Sequence, residues 1–103
     1  MDIELNTDGT TAYVVIKGNI DLKGGDRLAE KLQEITFMDN IDHVVFGMTE
    51  VSTITSSGIG KLLNFFKHIN SKSGSMEIKG ISDSLYEQFL DIHLNRIFPI
   101  SRS

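Results

Sequence analysis

The chain opens on a two-residue alternation of apolar and polar positions. Ile3 and Leu5 are separated by polar residues, Asp8-Gly9 is a turn dipeptide, and Ala12 to Ile16 is a run rich in β-branched residues that closes at Lys17-Gly18. This pattern predicts a hairpin, with Asn19-Ile20-Asp21 leading out of it. The period then changes to that of a helix. After Asp21, residues Leu22, Leu28, Leu32 and Ile35 fall near one face, and Asp26, Arg27, Glu30, Lys31 and Glu34 turn toward solvent. The helix is expected to end before Asp39-Asn40. His43 to Met48 is a short apolar run, as expected of a central strand buried on both faces.

A second helix follows the segment Thr49–Gly60. Ile59, Leu62, Leu63, Phe66 and Ile69 lie within about 80° of a common direction at 100° per residue, with Phe65 at the border. Gly60, Lys61, Asn64, Lys67 and His68 occupy the opposite face. Asn70 to Ser75 reads as a turn and Met76 to Ile81 as a strand. Ser82 or Asp83 can cap a helix carrying Leu85, Phe89 and Ile92, and Arg96 to Ile100 is expected as a last short edge strand containing Pro99. The order is ββαβαβαβ, an α/β fold whose hairpin opens a mixed sheet, and residues 1–103 form one domain.

Composition narrows what this domain can do. Leu, Ile, Val and Phe supply 33 of 103 residues, enough for one core. There is no cysteine, which removes disulfides, zinc–thiolate sites, iron–sulfur clusters and thiol nucleophiles. No apolar run is long enough to span a membrane, and MDIELNTDG lacks a basic, then apolar signal segment, so the expected address is the cytoplasm, with no membrane partner. The net charge of −4 is a poor match to nucleic acid phosphates. That charge is unevenly spread: residues 1–50 carry ten acidic and four basic side chains, and residues 51–103 carry four acidic and six basic.

Glycines beside a helix invite a phosphate-loop reading, and the spacing refuses it. GxxxxGK[ST] would need glycine at 55 and a hydroxyl at 62, where Thr55 and Leu62 stand. GxGxxG from Gly58 and Gly60 would need glycine at 63, which is Leu63. GxSxG around Ser57 again meets Thr55. The histidines, at 43, 68 and 93, have no metal-ligand spacing, so no metal, cofactor or catalytic residue is expected. What remains is Thr55-Ser56-Ser57-Gly58 at the junction of a loop and a helix. One hydroxyl suffices as N-cap; three in a row exceed that need. A phosphate on such a serine would add about −1.5 to −2 charges without breaking the helix.

Three segments resemble the STAS domain family. Gly18-Asn19-Ile20-Asp21 is similar to the element that opens those domains, Val51 to Gly60 (VSTITSSGIG) to their central loop, and Ser82 to Phe98 to their last helix and following strand. The resemblance implies a STAS-like sheet with helices packed mainly on one face. It further implies a non-enzymatic anti-sigma factor antagonist of a bacterial partner-switching circuit. Such a protein binds an anti-sigma factor serine kinase, is released when the kinase phosphorylates it, and is restored by a PP2C-type phosphatase. The acceptor would be Ser56, with Ser57 as fallback. Many members carry aspartate before the acceptor; Thr55 stands there in this chain. The docking surface is expected to combine Asn19, Ile20, Asp21, Thr53, Thr55, Ser57, Gly58, Gly60, Lys61, Asn64 and Lys67, on a monomer or weak dimer. A second role that the same fold would support is a non-switching scaffold or accessory subunit of a stressosome-like or lipid-transport complex.

Overall fold

The computed structural model describes residues 1–102. Strands β1 (Asp2–Asp8) and β2 (Thr11–Lys17) form the hairpin, followed by helix α1 (Leu22–Thr36), β3 (His43–Glu50), α2 (Ser56–Ser71), β4 (Ser75–Ile81), α3 (Asp83–Asp91), a 3-10 turn at Leu94–Arg96 and β5 (Ile100–Arg102). The strands lie side by side in chain order, β1-β2-β3-β4-β5. β1 runs antiparallel to β2, and every later neighbour is parallel.

That order determines where the helices go. Each parallel crossover is right-handed because of strand twist, and three crossovers that all step the same way put their helices on one face. Burial follows. Ala12, Val14 and Ile16 of β2, Val44, Phe46 and Met48 of β3, and Met76 and Ile78 of β4 point to the helices and are lost to solvent. The register aligns them in rows, Ala12–Val44–Met76 and Val14–Phe46–Ile78, with Leu5 and Ile100 extending the second row to the two edges. From above, Leu28, Leu32 and Ile35 of α1, Ile59, Leu62, Phe65 and Ile69 of α2, and Leu85 and Phe89 of α3 complete the core. The Phe65 ring meets Phe46 edge-on, with centroids 6.0 Å apart.

Among the described residues no layer lies over the other face of the sheet, so β3 is covered on one side and not on both. Val45 is nevertheless only 9% exposed, because its register neighbours Tyr13 and Glu77 close around it. Apart from Val15, the rest of this face is mainly polar. Lys17 lies 3.7 Å from Glu4 and 4.0 Å from Glu50, and Lys79 lies 3.8 Å from Glu77.

Several periodic expectations shift by one position. Leu22, placed on the core face by its spacing, is 72% exposed, because α1 approaches its neighbours through Gly24 and Gly25 in that turn. In α2 the border residue Phe65 is buried, and Leu63 and Phe66 are only partly so. Phe66 packs instead at the margin against Phe98, with centroids 5.6 Å apart. Ile92 is 48% exposed as the C-cap of α3. The final strand begins at Ile100, not Arg96: His93, at φ 61°, takes the left-handed conformation and opens a 3-10 turn that buries Leu94, and Phe98 is buried just beyond it. Pro99, which has no N–H to give, still accepts from the Ile78 N–H at 2.9 Å.

Phe46 stands in the middle row of the sheet under α2, so Phe46→Ala is expected to cost about 3–5 kcal/mol of folding free energy. Urea unfolding followed by circular dichroism reads that loss directly.

Candidate functional site

The site begins with two connections, β2 to α1 and β3 to α2, which leave neighbouring parallel strands at the same end of the sheet. They are joined by backbone hydrogen bonds. The Ile20 N–H donates to the Thr53 carbonyl (2.9 Å), the Thr55 N–H donates to the Ile20 carbonyl (3.0 Å), and the Gly18 N–H donates to the Glu50 carbonyl (2.9 Å). Ile20 and Ile54 form an isolated parallel bridge, and the Ser52 hydroxyl donates to Asn19 Oδ1. The loops therefore behave as a short extension of the sheet, with Ile20 and Ile54 buried beneath it.

Helix α2 starts on top of that pair. The Thr55 hydroxyl caps it by accepting from the Gly58 N–H at 3.1 Å, as an aspartate in this position would with its carboxylate. Gly58 must lack a side chain. A Cβ there would lie 2.9 Å from Ile20 Cγ2 and 2.9 Å from Ile54 Cγ1, closer than side chains pack. α1 is capped in the same way, by Asp21 Oδ1 accepting from the Gly24 N–H at 2.8 Å.

These constraints bring Asn19, Asp21, Thr53, Thr55, Ser56, Ser57 and Lys61 to one end of the molecule, outside the carboxyl ends of β2 and β3. Ser56 is the first residue of α2, and its side chain is exposed. Among the described residues its hydroxyl has no hydrogen-bond partner, whereas Thr55, Ser57 and Ser52 all have one. Ser57 accepts from the Lys61 ammonium at 3.2 Å, and that ammonium lies 3.9 Å from Asp26 of α1. Counting about 100° per residue, Gly60 and Lys67 share the stripe of Ser56, while Ser57, Lys61, Asn64 and His68 turn toward α1.

Two residues of the expected docking surface lie under it. Ile20 is fully buried and Gly58 is buried, so both hold the loop in place and offer no side chain to a partner. Leu22 has the reverse placement: the core-facing spacing puts it inside, yet it stands exposed beside Asp21. Periodicity could not show this, because only the approach of α1 at its glycines lifts the first turn away from the core.

The structure also assembles features that lie far apart in sequence. A groove of about 290 Å³ runs between α1 and α2, floored by Leu32 and Phe65 and rimmed by Lys61, Asn64 and His68. On the uncovered sheet face, His43 Nδ1 lies 2.6 Å from the Ser75 hydroxyl and its Nε2 lies 3.2 Å from Glu77. This Ser–His–Glu line has the order of a charge relay. The Ser75 N–H is spent on the Asp42 carbonyl, however, and Lys79 also reaches Glu77, so the cluster has no oxyanion donor at Ser75 and ties β3 to β4. Among the described residues no three metal-ligating side chains gather.

Gly58→Ala is expected to push α2 off Ile20 and Ile54, with a loss of about 1–3 kcal/mol; thermal melting and amide exchange at Ile20 and Thr55 would register it. Thr55→Ala removes the cap alone and is expected to cost about 1 kcal/mol in a urea titration, with Thr55→Asp recovering it.

Comparison with known proteins agrees with this geometry. The chain is 26% identical over 101 residues to an anti-sigma F factor antagonist of Paenibacillus polymyxa, covering 97% of this chain and 86% of that relative. The fold is similar to that of the phosphorylated form of the Bacillus cell fate determinant SpoIIAA, with a TM-score of 0.78 at 16% identity over 99% of this chain and 92% of the other. It is also similar to an anti-sigma-factor antagonist (STAS) domain protein from Planctomyces limnophilus, with a TM-score of 0.85 at 14% identity over 98% and 89% of the two chains. The STAS domain model matches residues 2–103, and the chain belongs to the STAS domain family.

Proposed function

We propose that this protein is an anti-sigma factor antagonist that works by reversible docking and performs no catalysis of its own. In its unmodified form it binds an anti-sigma factor that is also a serine kinase. Phosphorylation of Ser56 releases it, and a PP2C-type phosphatase restores it. The site of action is the cytoplasm, and the working unit is a monomer or weak dimer.

The observation that carries this reading is the Ser56 hydroxyl: exposed, without a hydrogen-bond partner among the described residues, and set between Thr55 and Ser57, whose hydroxyls are both engaged. A kinase can reach it without unfolding anything. A phosphate there would stand on the stripe shared with Gly60 and Lys67, in the middle of the proposed contact. Closing a partner over it would desolvate about −1.5 to −2 charges, enough to dissociate a complex of ordinary affinity. The Paenibacillus relative, an anti-sigma F factor antagonist, supports the role, and SpoIIAA exists in unphosphorylated and phosphorylated forms on a similar fold.

Thr55 is compatible with this function. Its hydroxyl performs the capping that the common aspartate would perform, and so holds Ser56 in the same place on the helix.

Titration of the cognate anti-sigma factor kinase by calorimetry tests the reading. Ser56→Ala is expected to bind like wild type and to take up no phosphate, and Ser56→Asp to bind at least about tenfold more weakly, or about 1.4 kcal/mol. Equal affinity for wild type and Ser56→Asp would overturn the switch.

A further inference from the structure

Ser56 and Ser57 are adjacent, both are exposed, and both sit in the first turn of α2. The partial positive charge of the helix start acts on both, so it cannot distinguish them. Lys61 can. Its ammonium already donates to the Ser57 hydroxyl at 3.2 Å, four residues back on the same face. Ser56 lies about 140° around the helix from Lys61, on the outward stripe.

Lys61 is also held in that direction. Its side chain is only 26% exposed, and its Cδ and Cε run past Gly25 of α1, 3.7 and 3.8 Å from where a Cβ would stand. Asp26, 3.9 Å from the ammonium, is its charged neighbour among the described residues. The long apolar stem thus lies across the glycine turn of α1, and the charged end points at Ser57.

We propose that Lys61 is the residue that makes the two serines unequal: it compensates a charge placed on Ser57 within the same chain and leaves a charge on Ser56 facing outward. Resting on the switch reading above, this makes Lys61 a positioning residue that selects Ser56 as the place where phosphate is felt by a partner. At Ser57 the ammonium offsets one unit of the phosphate's about −1.5 to −2 charges and releases Asp26 to solvent. At Ser56, among the described residues, no lysine makes the corresponding contact and the phosphate meets the helix start. The lysine also occupies the unmodified Ser57 hydroxyl, which gives that serine a partner that Ser56 lacks.

The test needs no binding partner, so its failure is separable from failure of the docking reading. Phosphoserine is incorporated at position 56 or 57 of the full chain by genetic code expansion, and the second ionisation of each phosphate is followed by 31P NMR. A nearby cation favours the dianion, so the Ser57 phosphate is expected to titrate at least about 0.5 pH unit below the Ser56 phosphate. Lys61→Met keeps the stem over Gly25 and removes the charge. It should raise the Ser57 value by about that amount and move the Ser56 value by less than about 0.2. Asp26→Asn, on an exposed side chain, removes the competing carboxylate and should lower the Ser57 value further. Lys61→Arg should retain the low value. A Ser57 phosphate that is indifferent to Lys61→Met, or two phosphates that shift equally, would overturn the assignment.

Discussion

Gly58 is where the two connecting loops and the two larger helices of this protein meet, and its missing side chain is the constraint on which the site depends. Below it, Ile20 and Ile54 approach so closely that a Cβ at 58 would stand 2.9 Å from each. Beside it, α1 presents Gly25, whose own Cβ position lies 4.0 Å from the Gly58 Cα. Its N–H makes the capping bond to Thr55. One small residue thereby seats the helix, sets the direction of its first turn and decides which hydroxyls face outward. Because the loops below are tied by backbone bonds and capped by buried isoleucines, the serines ride on a surface with little freedom to move.

The sheet supplies the frame for this arrangement. Strands that step in one direction with right-handed crossovers gather all helices on one side, and the parallel strands then release their following loops at a common end. The same topology leaves the opposite face to its own side chains. There, ion pairs and the His43–Ser75–Glu77 contacts take the place of a second layer. The free edge of β1 carries Asp2, Glu4 and Asp8, like charges that oppose edge-to-edge pairing with a second copy.

Much of this was legible residue by residue. Alternation in β2 and helical spacing in α1 and α2 identified the elements, and the hydroxyl run Thr55-Ser56-Ser57 marked the start of α2. Within the helices the differences are of one physical kind. Leu22, Leu63, Phe66 and Ile92 lie further out than their spacing suggests, because helical spacing specifies which residues share a face, whereas the exact line of contact depends on the neighbouring element. A glycine pair in α1 and the Phe46 ring under α2 shift that line. The last strand was displaced for a related reason: Leu94 and Phe98 satisfy the core from a 3-10 turn and its continuation, a solution that a two-residue period does not reveal.

The sequence by itself therefore determined the order of elements and the position of the serine loop, since both rest on periodicity and capping among residues close in the chain. Tertiary structure decided which sheet face stays open, that Ile20 lies beneath the site while Leu22 stands beside it, and which serine hydroxyl is left free. Those outcomes depend on Asp26 meeting Lys61, on Ile20 meeting Ile54 and on Phe46 meeting Phe65. Such contacts form only once the crossovers have brought distant segments together, and no local pattern encodes the last ångströms of their approach.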